Sequence, residues 1–310
     1  MNILFMGTPD FAVPCLEALV KNNHDVVAVI TQPDRPKGRG KKVLPPPVKA
    51  KANQLGIKVL QPKRIKDKEN IEVIKNMNID CIVVVAYGQI LPKEILELPE
   101  KGCINVHASL LPKFRGAAPI NWAIINGEKK TGITTMYMNE GLDTGDMILK
   151  EEVTIAKDMT ASELHDILSV KGAKVLIETL KLIEINKAPR TPQNDSESSY
   201  AAMLNKDTGC IDWNNSAIKI YNLVRGLNSW PVAYTMYKGK KLKIWKCSIG
   251  ELKSNEIPGK IIKVNKKGIF VATGDGVIVI DEIQFPNSRK MSVDEYIRGN
   301  TIETGIKLGV

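Results

Sequence analysis

Asn2-Ile3-Leu4-Phe5-Met6-Gly7-Thr8-Pro9-Asp10-Phe11 opens the chain with an unbroken apolar run, a glycine turn and a polar head to a second pattern. That second pattern, Phe11–Lys21 behind an Asp10 cap, has helical periodicity, and Val26–Thr31 is again apolar without alternation. Unalternated apolar strands are buried on both faces, as parallel strands are. The alternation continues outward. Lys58–Leu60, Asp80–Ala86 and Cys103–His107 read as strands, and Val48–Gln54, Glu69–Met77 and Pro119–Asn126 as helices between them. Strand–helix repetition of this kind predicts an α/β, Rossmann-like, doubly wound parallel sheet. In such a sheet ligands lie beyond the carboxyl ends of the strands. The turn after the first strand offers free N–H groups to an anion. It is not G-x-G-x-x-G, so a nucleotide-dependent oxidoreductase lacks its fingerprint here.

Beyond the first strands, Gly132–Met138 reads as another strand and Thr160–Ile185 as one long helix. Asn186–Asn205, with Pro189, Pro192 and a polar run, reads as a linker. The pattern then changes. A short helix, Ser216–Gly226, precedes five strand-like segments: Ala233–Tyr237, Lys241–Lys246, Gly259–Val264, Ile269–Thr273 and Val277–Asp281. Short strands split by glycine turns predict a small antiparallel β-barrel of the oligonucleotide-binding (OB) type. The expected organisation is therefore an α/β domain over 1–185, a linker over 186–205 and a barrel over 206–310, as suits 310 residues.

Composition narrows the function classes. Hydrophobic residues are 43% and charged residues 25%, which is ordinary for a folded chain. Mean hydropathy is −0.12, and no window approaches the ~18 apolar residues of a membrane span. The N-terminus has no signal-peptide pattern, so the cytoplasm is the expected compartment. Five scattered cysteines without a C-x-x-C pair exclude a disulfide framework and a structural zinc site. No metal is expected. The net charge is +10, with +3 in residues 1–205 and +7 in 206–310, a balance that suits a polyanionic partner. Thr31–Lys51 holds seven cations (Arg35, Lys37, Arg39, Lys41, Lys42, Lys49, Lys51) against Asp34 alone. Gly38-Arg39-Gly40 and Pro45-Pro46-Pro47 are expected to rule out regular structure there. A charged run is usually a solvated face, but its place after the second strand points to phosphate contacts.

Two constellations carry chemistry. Asn105 and His107 lie two apart on one strand, hence on one face, at the ligand end of the sheet. An amide beside an imidazole suits a site where negative charge develops on a carbonyl oxygen. An isolated pair of this sort is more often a strand-end cap and a core histidine. Glu140-Gly141-Leu142-Asp143-Thr144-Gly145-Asp146 brackets Asp143 with glycines, placing a carboxylate that can orient a histidine or take a proton. By itself that loop is also an ordinary turn. Trp213, Trp230 and Trp245 in the second domain read as barrel core rather than as base-stacking platforms.

Taken together, Gly7–Phe11, Thr31-Gln32-Pro33-Asp34-Arg35-Pro36, Ala86-Tyr87-Gly88, Asn105-Val106-His107, Ser109–Pro112, Arg115-Gly116…Pro119 and Leu142–Asp146 resemble the methionyl-tRNA formyltransferases. The resemblance spans the chain, including the lysine-rich second domain. It implies a catalytic trio of Asn105, His107 and Asp143. It also implies a formyl donor, 10-formyltetrahydrofolate, held by Ser109, Leu110, Leu111 and Pro112 with Gln89 and Leu91. A tRNA-binding loop would carry Arg39, Lys41 and Lys42, with Arg39 as its key residue. The implied acceptor is initiator methionyl-tRNA and the implied state a monomer. A folate-dependent formyltransferase acting on a small amine or a nucleotide-sugar would keep the trio. It would need neither the basic loop nor a +7 second domain. An RNA-binding module without chemistry would not need the trio.

Overall fold

The computed structural model describes residues 1–37, 42–252 and 254–309. They form two compact units: Met1–Gly116 with Lys130–Thr154 and His165–Ala201, and Ala117–Lys129 with Ile155–Leu164 and Ala202–Val310.

The first unit is built on seven strands: β1 (Asn2–Gly7), β2 (Asp25–Ile30), β3 (Val59–Leu60), β4 (Cys81–Val85), β5 (Cys103–His107), β6 (Lys130–Tyr137) and β7 (Met147–Thr154). Their spatial order is β7-β6-β5-β4-β1-β2-β3. From β3 to β5 all neighbours are parallel, and the strand order reverses at β1, as in the doubly wound fold. Leu4, Met6, Ala28, Ile30, Ile82 and Val84 fill one face of these strands against Ile71, Ile74 and Ile95. The doubly wound parallel sheet carries an antiparallel edge, because β6 runs antiparallel to both β5 and β7. β7 carries Lys150-Glu151-Glu152 and alternates between buried and open positions, which hides it from a search for apolar runs.

Two local readings also change. Asp10 is not a helix cap. It opens a 3-10 turn, Asp10–Ala12, and its carboxylate accepts from the Phe11 N–H at 3.1 Å. The basic segment is partly regular: Arg35–Lys37 and Lys42–Leu44 pair antiparallel. Pro47 begins the helix Pro47–Gln54, where its missing N–H costs nothing. Lys49 Nζ binds both Asp34 oxygens at 2.8 and 2.9 Å and Gln61 Oε1 at 2.7 Å, holding the base of the arm. Lys49 and the Gln61 amide keep the Asp34 carboxyl below the usual carboxylate range.

In the second unit, β8 (Ala233–Tyr237), β9 (Lys240–Gly250), β10 (Ile261–Asn265), β11 (Gly268–Ala272) and β12 (Val277–Gln284) form an antiparallel sheet in the order β8-β9-β12-β11-β10. β13 (Met291–Ser292) pairs with β12. The chain's end closes this sheet. Leu308 N donates to Gly259 O at 2.8 Å, Gly305 N to Ile261 O at 2.8 Å, and Gly309 N to Met236 O at 2.9 Å. One tail thus bridges the two edge strands, removing the open edges that invite pairing with another chain. Trp213 lies in the barrel core, 5% exposed, with Nε1 on Thr235 Oγ1 at 2.9 Å. Trp245 is half-buried under Lys290. Trp230 corrects the core reading: it is 58% exposed.

All five cysteines are free and four are buried. Burial pushes the Cys15 and Cys103 thiols up to about 12. Among the described residues no helix is long and apolar enough to cross a membrane.

Candidate active site

β5 places the site. Ile104 and Val106 turn into the sheet's packing, so the alternate positions, Asn105 and His107, share the other side at the strand's carboxyl end. There they meet Asp143, carried by the loop between β6 and β7. Asn105 Nδ2 donates to Asp143 Oδ1 at 3.3 Å. His107 Nδ1 stands 3.6 Å from Asp143 Oδ2, with side-chain exposures of 7% and 13%. The other imidazole nitrogen, Nε2, lies 2.9 Å from the Phe114 carbonyl, a contact that needs the hydrogen on Nε2. Nδ1 therefore is the nitrogen that faces the carboxylate. Asp143 Oδ2 also accepts from the Gly116 N–H at 2.8 Å.

The loop that presents Asp143 is tightly made. Asn139 Oδ1 accepts from Gly141 N at 3.1 Å and Thr144 Oγ1 at 2.8 Å, a side-chain-built turn. Asp143 itself has φ of 52°, in the left-handed region. Gly145 is required by close approach: a Cβ there would sit 1.7 Å from the Tyr137 carbonyl oxygen. Gly145→Ala is accordingly expected to cost about 1–3 kcal/mol of stability through overpacking. It should also displace Asp143, which thermal unfolding beside a turnover assay will register.

The remaining site residues named from the sequence fall into two groups. Ser109 is fully buried, with Oγ on Lys113 O at 2.6 Å and its carbonyl on Thr134 Oγ1 at 2.7 Å. Leu111 and Pro112 are buried, and Leu111 N donates to Thr134 Oγ1 at 3.1 Å. Gln89 turns its amide to Pro62 O and Lys63 O and accepts from Ile65 N at 2.8 Å, while Leu91 is buried in the core. The polar side-chain atoms of Ser109 and Gln89 are thus bonded to backbone groups of the protein. Leu110 is half-buried and Ile90 is 80% exposed. A cavity of about 420 Å³ opens beside the Asp143 loop, between Lys93, Leu96 and Glu97 on one side and Met138–Gly141 on the other. Arg39 and Lys41 lie outside the described residues, and only the backbone of Lys42 is described, at the start of its strand. Among the described residues no group of three or more His, Cys, Asp or Glu side chains is gathered as a metal ion would need.

Some contributors to the site carry no sequence signal. The Gly116 N–H and Phe114 carbonyl act through the backbone. Gln193 belongs to the stretch read as a linker. That stretch is bonded along the first unit: Thr191 pairs with Met147, Tyr200–Ala201 pair with Arg115–Gly116, and Ser199 Oγ accepts from Phe114 N at 2.9 Å.

The formyl transferase family model matches residues 1–180, and the model of the formyl transferase C-terminal domain matches 203–301. The methionyl-tRNA formyltransferases of Clostridioides difficile (strain 630) and Alkaliphilus oremlandii (strain OhILAs) are each 59% identical over 309 residues, covering 100% of both chains. The chain belongs to the methionyl-tRNA formyltransferase family. Membership accounts for the pairing of a doubly wound unit with a separate antiparallel barrel. Within the wider formyltransferase fold, a sugar 3N-formyl transferase solved with dTDP and 5-N-formyl-THF superposes with a TM-score of 0.68 at 22% identity, covering 93% of this chain and 99% of that one. At that identity the likeness is one of fold.

Proposed function

We propose that this methionyl-tRNA formyltransferase family member transfers the formyl group of 10-formyltetrahydrofolate to the α-amino group of initiator methionyl-tRNA, in the cytoplasm and as a monomer. The observation that carries the reading is the convergence of Asn105, His107 and Asp143 at the head of β5. The relatives that match the whole chain at 59% identity bear that activity in their name.

The folate co-substrate supplies an electrophilic formyl carbon. The cavity beside the Asp143 loop has a volume in the range of small-molecule sites, with Leu96 and Met138 as apolar walls and Lys93 as a cation. As the α-amine forms its new bond to the formyl carbon, the carbonyl π pair moves onto oxygen. The Asn105 amide, which has a second N–H beyond the one on Asp143, donates to that oxygen, and so does His107 from Nδ1 when that nitrogen is protonated. Asp143 takes the proton released by the attacking nitrogen. It returns the proton to the departing folate nitrogen as the old carbon–nitrogen bond breaks, so protons and electron pairs balance.

Residues 206–310, with their charge of +7, and the arm around Arg39 bind the tRNA polyanion. Incubating the pure protein with charged initiator tRNA and 10-formyltetrahydrofolate should yield formylmethionyl-tRNA, and amino-sugar nucleotides should not compete. No product with any methionyl-tRNA sinks the assignment. Product with a small amine instead moves it to the rival class.

Arg39→Ala should lower kcat/KM for tRNA by about ten- to a hundredfold, the value of one bidentate contact. Folate binding should be unchanged. Neutralising Lys41 and Lys42 should give a smaller loss and a shallower salt dependence, by about one unit of slope per phosphate contact removed. Wild-type use of tRNA by Arg39→Ala would reduce the arm to a solvated turn.

A further inference from the structure

Between Pro189 and Tyr200 every residue is exposed except Gln193, which is half-buried. Its carboxamide is saturated. Nε2 donates to the carbonyl oxygens of Asp143 and Gly145 at 2.8 and 2.9 Å, and Oε1 accepts from Arg115 Nε and Nη2 at 3.0 and 2.9 Å. The partners settle which end is which, because guanidinium only donates and carbonyls only accept. Arg115 is held in turn by Asp195 at 2.8 Å. The next residue, Gly116, gives its N–H to the Asp143 carboxylate at 2.8 Å. Asp143 is thus gripped at both ends from one place, its carbonyl by Gln193 and its carboxylate by the backbone next to Arg115. A residue with φ of 52° stays there only while its surroundings hold it.

We infer that Gln193 is a positioning residue for formyl transfer, fixing Asp143 against Asn105 and His107 through a clamp that Arg115 orients; this rests on the function proposed above. The clamp comes from the segment after the last helix of the first unit, so the stretch that leaves the catalytic unit also sets its carboxylate. Misplacing a reacting group by about 1 Å costs on the order of a hundredfold in rate.

The test uses the full chain and the formylation assay. Gln193→Ala and the volume-conserving Gln193→Met should lower kcat about 10- to 100-fold, with KM for tRNA and for the folate donor within about twofold. Gln193→Glu retains the acceptors for Arg115 but sets oxygen against two carbonyls, and it should lose at least as much. In an Asp143→Asn background, Gln193→Ala should change kcat by less than about twofold, since a residue acting through Asp143 has nothing left to position. A merely structural staple would lower the melting temperature and cost the same factor in both backgrounds. That result, or wild-type kcat in Gln193→Glu, overturns the inference. Absence of formylation by the wild type would instead overturn the function on which it rests.

Discussion

His107→Ala is expected to lower kcat by about 10²–10³, roughly 3–4 kcal/mol of transition-state stabilisation, with the KM for the folate donor little changed. The geometry explains the size. With the Nε2 hydrogen given to the Phe114 carbonyl at 2.9 Å, Nδ1 stands beside Asp143 in a site only 7% exposed at the imidazole, and it donates to the developing oxyanion when it too is protonated. Water reaching the space left by alanine would be a poor substitute, because it must reorganise as the charge forms. Steady-state and single-turnover rates with charged tRNA, beside folate titration, separate the two parameters. Near-wild-type turnover would remove His107 from the mechanism. Asn105→Ala should behave likewise, because its amide both faces the developing oxyanion and anchors Asp143.

Asp143→Asn is expected to be nearly as damaging although the side chain keeps its shape. Both carboxylate oxygens accept from N–H groups, Asn105 Nδ2 at 3.3 Å and Gly116 N at 2.8 Å. An amide can offer only one acceptor, so one of these contacts becomes donor against donor. It also removes the proton acceptor that the reaction needs. A drop of about 10²–10³ in kcat, measured with unchanged far-UV circular dichroism, is the expected outcome. Full activity would make Asp143 a turn residue whose carboxylate is dispensable. Crossing this variant with Gln193→Ala tests the clamp in the same experiment.

Much of the site was legible because its signals are local. The two-residue spacing of Asn105 and His107 places both on one side of a strand wherever that strand lies, and glycines around Asp143 announce a tight loop. What was not legible depends on partners distant in the chain. Gln193 meets Asp143 across 50 residues, and its surroundings, Pro192 and Asn194, are those of any polar connection. Ser109 belongs to a motif of the family, and its hydroxyl donates to the Lys113 carbonyl. A motif shows that a residue matters without showing whether it touches the ligand.

From sequence alone came the strands β1 to β5, the helices between β1 and β4, the change to short antiparallel strands after residue 205 and the two constellations. These are consequences of hydrophobic period, glycine placement and charge, which act within a few residues. Tertiary structure decided the direction of β6 and β7, the closure of the barrel by residues 305–309, the exposure of Trp230 and the grip on Asp143. Each is a matter of which backbone or side-chain group finds a partner far along the chain. A buried polar group must be satisfied, but its composition does not say by whom.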